Sequence, residues 1–495
     1  MPQNPTRIAS EWAAQVTFED LPPHVVEKTK LQAASVLGAT FSGLASSKIR
    51  AYRRAAARWG AGSGDSELAS MSDRLLIETA ASVVHDFDDY LFAGHTGHSA
   101  ILGALAVADL LHSEGTAVSG QDFITAAVVA NELGGRLGAS MLFGPHNGQM
   151  WSYIHLIGAS AAGAKLLGLD AGGIESAIGL AFSQPNYPLV ATFMGSDAKA
   201  LIAAQPAVDG AHAAVLAAEG LNGARGILED RGGFWARFHP DAMAKMFSGF
   251  GEAWLTSSLS YKIYPGCAYI DTAIDALFSI MSDFESSEGK ALEADDIDGI
   301  AVEAGMLTAG METMSGWYRG EHISPMNVNF SVALSGSVAI LAGRLTPAEF
   351  EPGFYLERED QILSLAKKWR IDTSREMTDA ISPEGSAFDL RKILRKPDDA
   401  LTGEDFSRYE CRFPARVTLT TSDGRKFTEL SEIPLGGAGR PGDETRRLVE
   451  SKLAEGVAFS GSGERASEMI EAVTSLEMLD DVSGTLRGAA GRWPN

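Results

Sequence analysis

A mainly α-helical protein, with a large all-helical domain and a smaller α+β domain, is the fold class that this 495-residue sequence predicts, and three observations predict it. From about residue 6 to about 260, Ala- and Gly-rich segments of helical composition follow one another with little strand-like alternation. Composition changes after the break Tyr264-Pro265-Gly266. Beyond it, residues 416–421 and 425–430 read as two strands joined through Ser422-Asp423-Gly424, the pattern of a hairpin. The expected division is a helical domain over 1–266, an α+β domain over 267–432, and a segment, 433–495, that returns to the helical domain.

Within the first domain, helices are expected over 100–111, 123–137, 158–167, 174–182 and 207–218. The run Gly158-Ala159-Ser160-Ala161-Ala162-Gly163-Ala164 gives its helix a surface of small residues, so a neighbour can approach closely. Gly220 is placed to stop the last of these helices. Glu132 and Arg136 stand four apart, the spacing of an intrahelical ion pair, and no chemistry is assigned to them. Further on, 297–304 is a weaker strand candidate and 443–454 is again helical.

A formal charge of -23 and a pI near 4.9 argue against nucleic acid or an anionic membrane as a partner, since either would be repelled. Two cysteines, Cys267 and Cys411, exclude a disulfide framework and fit a reducing compartment. The first residues lack the basic and apolar regions of a signal sequence, and no uninterrupted apolar run has membrane-spanning length, so a cytoplasmic protein is expected. Gly-x-Ser-x-Gly elbows, Walker-type loops and zinc-type cysteine pairs are absent from the sequence.

Chemistry concentrates in His85-Asp86-Phe87-Asp88-Asp89-Tyr90, followed by His95 and His98: three carboxylates and three imidazoles within fourteen positions. Carboxylates this close raise one another's proton affinity, and imidazoles titrate near neutrality, so the run can supply a proton acceptor at physiological pH. The acidic residues are expected on the last turn of a helix, where they oppose its dipole. Ser99 is a candidate N-cap of the next helix, which would set His98 beside amides able to hold an anion. Two other readings remain open at this point: a solvated helix end with a hydrogen-bonded His98, and a metal site built on His95-x-x-His98 with a carboxylate. Lys199 follows Gly195-Ser196-Asp197 into a first helical turn, either to hold a carboxylate or as an extended, solvated side chain. Lys262 sits at the domain junction, where clefts favour ligands, or snorkels at the surface.

Several ordered blocks resemble the MmgE/PrpD (2-methylcitrate dehydratase) family, which includes cis-aconitate decarboxylase and iminodisuccinate epimerase. They are Phe18-Glu19-Asp20-Leu21-Pro22 with Val36-Leu37-Gly38, His85 to Asp89 with His98-Ser99, Glu132 to Gly138, Lys165 to Leu169, Gly195 to Lys199, Gly223 to Phe234, and Lys262-Ile263-Tyr264-Pro265 through Ile274-Asp275-Ala276. They cover residues 18 to about 276, extended by Phe330-Ser331 and the hairpin. The resemblance implies an α+β lid, a homodimer, no metal, no cofactor, and a pocket between the domains for small polycarboxylates. Carried over by position, it implies that Asp86, His98, Lys199 and Lys262 are catalytic, with His95 competing for the histidine's place. Asp89, His95, Gln149, Tyr264 and Cys267 are the candidate substrate-binding residues. The chain departs from the family pattern at Gln149, Ile202, Asp271 and Leu334, where hydrogen-bonding groups are expected, and at Cys267, where some relatives carry histidine. His155 or His146 stands near the first of these. Taken together, these residues imply carbon-acid chemistry by a lyase, either dehydratase or decarboxylase. An epimerase and a non-catalytic carboxylate-binding relative are the alternatives.

Overall fold

The computed structural model describes residues 4–59, 70–142, 150–185, 189–384, 401 and 404–490. Helices dominate, and the strands are few and short, so the chain is mainly α with a smaller α+β part.

Two long helices, Pro23–Leu44 and Gly120–Ser140, run through the larger core and are buried along most of their length. Small residues make that possible by letting backbones meet. A Cβ on Gly43 would lie 1.9 Å from the Ala81 carbonyl oxygen of the Met71–Val84 helix, and one on Gly210 would lie 2.7 Å from the Leu156 carbonyl oxygen. The Gly120–Ser140 helix starts at Ser119, whose hydroxyl accepts from the Asp122 amide. Its Glu132 and Arg136 pair at 3.2 Å but do more than brace their own helix. Arg136 donates to the carbonyls of Met246, Ser248 and Ala253, while Glu132 accepts from the Thr256 amide and hydroxyl. A buried ion pair thereby fastens the segment that leads to Lys262.

The acidic run leaves the Met71–Val84 helix and enters β1 (Asp89–Tyr90), which pairs antiparallel with β2 (Ser260–Tyr261). The next helical stretch begins at His98 itself, as a wide π-type turn over His98–Gly103 that continues into Ala104–Ser113. Ser99 is therefore inside the first turn instead of capping it, and its hydroxyl donates to the Thr96 carbonyl.

A second core surrounds a sheet of order β4-β3-β5-β6, formed by β3 (Ile297–Ala304), β4 (Trp369–Thr373), β5 (Ala415–Thr421) and β6 (Lys426–Ser431). The hairpin occurs where its turn chemistry placed it, with Gly424 at a φ of +87°. The weak strand candidate β3 lies inside the sheet and buries Ile297, Ile300, Val302 and Ala304. Helix Asp271–Glu288 packs across β5 and β6. Beyond the sheet, helix Gly442–Phe459 contributes Val449, Leu453 and Val457 to the larger core. It crosses Pro23–Leu44 so closely that a Cβ on Gly456 would lie 2.3 Å from the Gly38 carbonyl oxygen.

Candidate active site

The site grows from the end of the Met71–Val84 helix. Asp86 turns the chain there with a φ of +53°, a left-handed conformation that aspartate tolerates better than most residues. The acidic run lies just past the helix rather than on its last turn, and Asp86, Asp88 and Asp89 are at most 1% exposed, which overturns the reading of a solvated helix end.

Pairing of β1 with β2 brings in the first lysine. The Lys262 amide donates to the Asp88 carbonyl at 3.1 Å, and the Gly266 amide to that of Asp86 at 3.0 Å. From this fixed backbone, Lys262 Nζ donates to Asp86 Oδ1 at 2.9 Å and to Asp88 Oδ1 at 2.7 Å. Lys199 lies on the short turn Asp197–Ala200 that opens the Leu201–Ala218 helix, and its Nζ is 3.2 Å from Asp86 Oδ2. Asp86 thus spans two ammonium groups, and neither lysine is exposed to solvent. The second oxygen of Asp88, Oδ2, accepts from His95 Nδ1 at 2.6 Å and from His98 Nε2 at 3.1 Å. His98 Nδ1 lies 2.7 Å from the Ser82 hydroxyl. Both imidazoles turn onto one carboxylate oxygen, and no three described His, Cys, Asp or Glu side chains form a group suited to a metal ion.

A cavity of about 340 Å³ opens beside this cluster, walled by residues from both parts of the molecule. Asp86, His95, Lys262 and Cys267 reach its wall. His98 does not: it is fully buried behind Asp88, so among the described residues the histidine that faces the cavity is His95.

Residues 7–246 match the MmgE/PrpD N-terminal domain. The chain belongs to the MmgE/PrpD family. It is 25% identical to the cis-aconitate decarboxylase of Aspergillus terreus, over 96% of this chain and 94% of that protein. Its identity to the cis-aconitate decarboxylase-like protein of Aspergillus oryzae is 26%, over 82% of this chain and 80% of the relative. The cis-aconitate decarboxylase of Homo sapiens is 23% identical, over 94% and 90%.

In this MmgE/PrpD protein the remaining candidate residues take different places. Cys267 is on the cavity wall, with a thiol that burial pushes up to about 12, so it stays protonated. Asp89 lies deeper, where its Oδ2 accepts from Gln32 at 2.7 Å. Tyr264, expected to bind substrate, is not among the wall residues; its ring packs tilted against Phe278, with centres 5.5 Å apart, and its hydroxyl is bonded to Asp275, because the ring packs against the second core. Gln149 and His146 lie outside the described residues. His155 Nδ1 sits 3.0 Å from the Ser99 hydroxyl, and burial with the neighbouring imidazoles keeps the ring neutral. Among the positions that depart from the family pattern, Ile202 and Leu334 are buried, and burial pushes the Asp271 carboxyl well above its usual range.

Lys452 is the residue that sequence reasoning missed. It comes from helix Gly442–Phe459 and is 2% exposed; its Nζ donates to Ser35 Oγ at 2.8 Å and to the carbonyls of Lys262 at 3.0 Å and Asp88 at 3.4 Å. One ammonium therefore staples the two strands that carry the site. Its sequence signal is a lysine on an apolar stripe, three residues after Val449 and four before Gly456. Burial lowers its pKa to about 7, against the opposing pull of Asp88 and Asp89.

Electrostatics sort the remaining groups. Burial disfavours the Asp88 charge, yet Lys262 and the two imidazoles hold its carboxyl well below the usual carboxylate range. Lys262 is also desolvated, but Asp86 and Asp88 overcome this and hold it above the ordinary lysine range. For Lys199 burial wins over Asp86, and its pKa is lowered. Burial likewise lowers the His95 pKa in spite of Asp88. Asp89, buried beside the Asp88 charge, is pushed up to about 6. The arrangement therefore offers a neutral, oriented imidazole next to two closely held ammonium groups.

Proposed function

We propose that this protein is a lyase that acts on a small carboxylate by breaking a C–H or C–C bond next to the carboxylate, using its own side chains and no cofactor. Asp88 carries the reading: one of its oxygens holds Lys262 and the other holds His95 at the cavity wall. With Nδ1–H committed to Asp88, a neutral His95 carries its basic lone pair on Nε2. In an elimination, Nε2 takes the proton next to the carboxylate, the C–H electrons form the alkene, and hydroxide leaves with a proton returned by the imidazolium. In a decarboxylation, His95 Nε2 first takes a proton from solvent; the C–C bond then breaks, CO2 departs, and that proton passes to the carbanion. The elimination places enolate charge on the substrate carboxylate, the decarboxylation leaves carbanion charge on the carbon that loses CO2, and Lys199 with Lys262 stabilises either in a water-poor site. The names of the curated relatives favour decarboxylation within this class.

The test is to incubate the purified protein with hydroxy- and unsaturated carboxylates in heavy water. Alkene absorbance or CO2 release supports the lyase, whereas deuterium uptake with inversion and no group lost makes the protein an epimerase. Turnover of no compound, with carboxylates still bound, leaves a binding protein. For the lyase, His95→Gln should lower kcat by about 10²–10⁴ with little change in KM, and His98→Gln should cost less, because His98 acts through Asp88.

A further inference from the structure

We infer that the substrate is an amphipathic monocarboxylate, with one carboxylate joined to an aromatic or branched apolar body, in place of a di- or tricarboxylate; this rests on the reading of the site as a carboxylate lyase. The first argument is charge balance. Asp86 and Asp88 are matched by Lys199 and Lys262, every pair within 3.2 Å, so an arriving anion meets a neutral pole. Among the described residues of the cavity wall, Lys262 is the one lysine or arginine, and Asp86 stands beside it. A single carboxylate can draw one ammonium away from Asp86. A second and a third would be taken from water without a described cation to meet them, and burying unpaired charge is costly.

The rest of the wall supplies the second argument. Phe193, Met194, Met311, Met314, Phe330 and Phe413 line it, and Met194, Met311 and Phe330 form one buried apolar cluster with Cys267. Thioethers adapt to irregular apolar shapes, which suits a bulky body better than a fixed polar one. Phe330 also covers the face of the charge pair, with its ring centre 4.1 Å from Lys199 Nζ, so the aromatic surface begins where the ammonium groups end. The third argument is size. A cavity of about 340 Å³ is in the range that holds a whole organic ligand, and a carboxylate occupies a small part of it.

Calorimetric titration of the full chain with trans-cinnamate and with cis-aconitate, at equal pH and salt, tests the inference. Cinnamate should bind at least about tenfold more tightly. Met314→Lys, which adds a cation at a half-buried wall position, should shift the preference toward cis-aconitate by a similar factor; an unchanged melting temperature confirms that the variant is folded. Tighter binding of cis-aconitate to the wild type, or saturable binding of neither compound, overturns the substrate class. Turnover is read separately, as alkene formation, CO2 release or deuterium exchange with 3-hydroxy-3-phenylpropanoate and with citrate. If the apolar acids bind more tightly but no compound reacts, the lyase reading falls and the ligand class stands. If citrate reacts and binds more tightly than the apolar acids, the lyase reading stands and the ligand class falls.

Discussion

Asp89 and Lys452 are both buried beside Asp88, and their displaced titrations make stability depend on pH in two windows. The folded chain keeps a proton on Asp89 up to about pH 6, where the unfolded chain has released it from 3.8 upward. Stability should therefore fall as pH rises from about 4 to 6. Lys452 acts in the opposite sense: folded, it loses its proton near pH 7, while the unfolded chain keeps it to 10.5, so stability should rise across that interval. Urea midpoints at fixed ionic strength check both, with Asp89→Asn flattening the first slope and Lys452→Met the second. At this scale, residue types carried much of the information. Asp86, Lys199 and Lys262 stand out in the sequence because charge is crowded or set at element ends, and the structure places both ammonium groups within 3.2 Å of the Asp86 carboxylate. Which imidazole faces the cavity was not legible, since it depends on the path of the loop that carries His95. Lys452 was hidden by distance, 364 positions from the carbonyl of Asp88 it caps.

The loop between β1 and His98 is held tightly at one glycine. A Cβ on Gly97 would lie 1.9 Å from Asp89 Oδ1 and 2.6 Å from Val36 Cγ2, so Gly97→Ala must push the loop away from the carboxylate. We expect a loss of about 1–3 kcal/mol in stability and a fall in activity, because His95 and His98 move with the loop. Gly424→Ala is the comparison. Its φ of +87° costs about 1 kcal/mol in the hairpin turn, no atom stands within 4 Å of the added carbon, and activity should be retained. Thermal unfolding and a turnover assay on the two variants separate the effects. Local periodicity made the helices and the β5–β6 hairpin readable, because each is specified by residues within one element. The short strand β4, Trp369–Thr373, escaped notice because its parallel pairing with β3 is a long-range choice that five residues do not announce.

The molecule as a whole carries a formal charge of -23, and its proposed substrate is an anion. Repulsion at a distance should slow their encounter, so kcat/KM is expected to rise a few-fold as salt is raised from about 10 to 150 mM, where the screening length shortens to about 8 Å. A flat or falling profile in stopped-flow or steady-state rates would show that local fields at the cavity mouth dominate. Composition announced the mainly helical class. A return of the last segment to the helical domain was expected from composition, but not the helix it would cross there, because that depends on how Gly38 and Gly456 let two backbones touch. The Lys452 staple also bears on biosynthesis. As the nascent polypeptide leaves the ribosome, the aspartates near position 88 wait for Lys262, and the strand pair they then form waits much longer for its last ammonium. The reacting groups should therefore be fully supported only once the Gly442–Phe459 helix has emerged and docked.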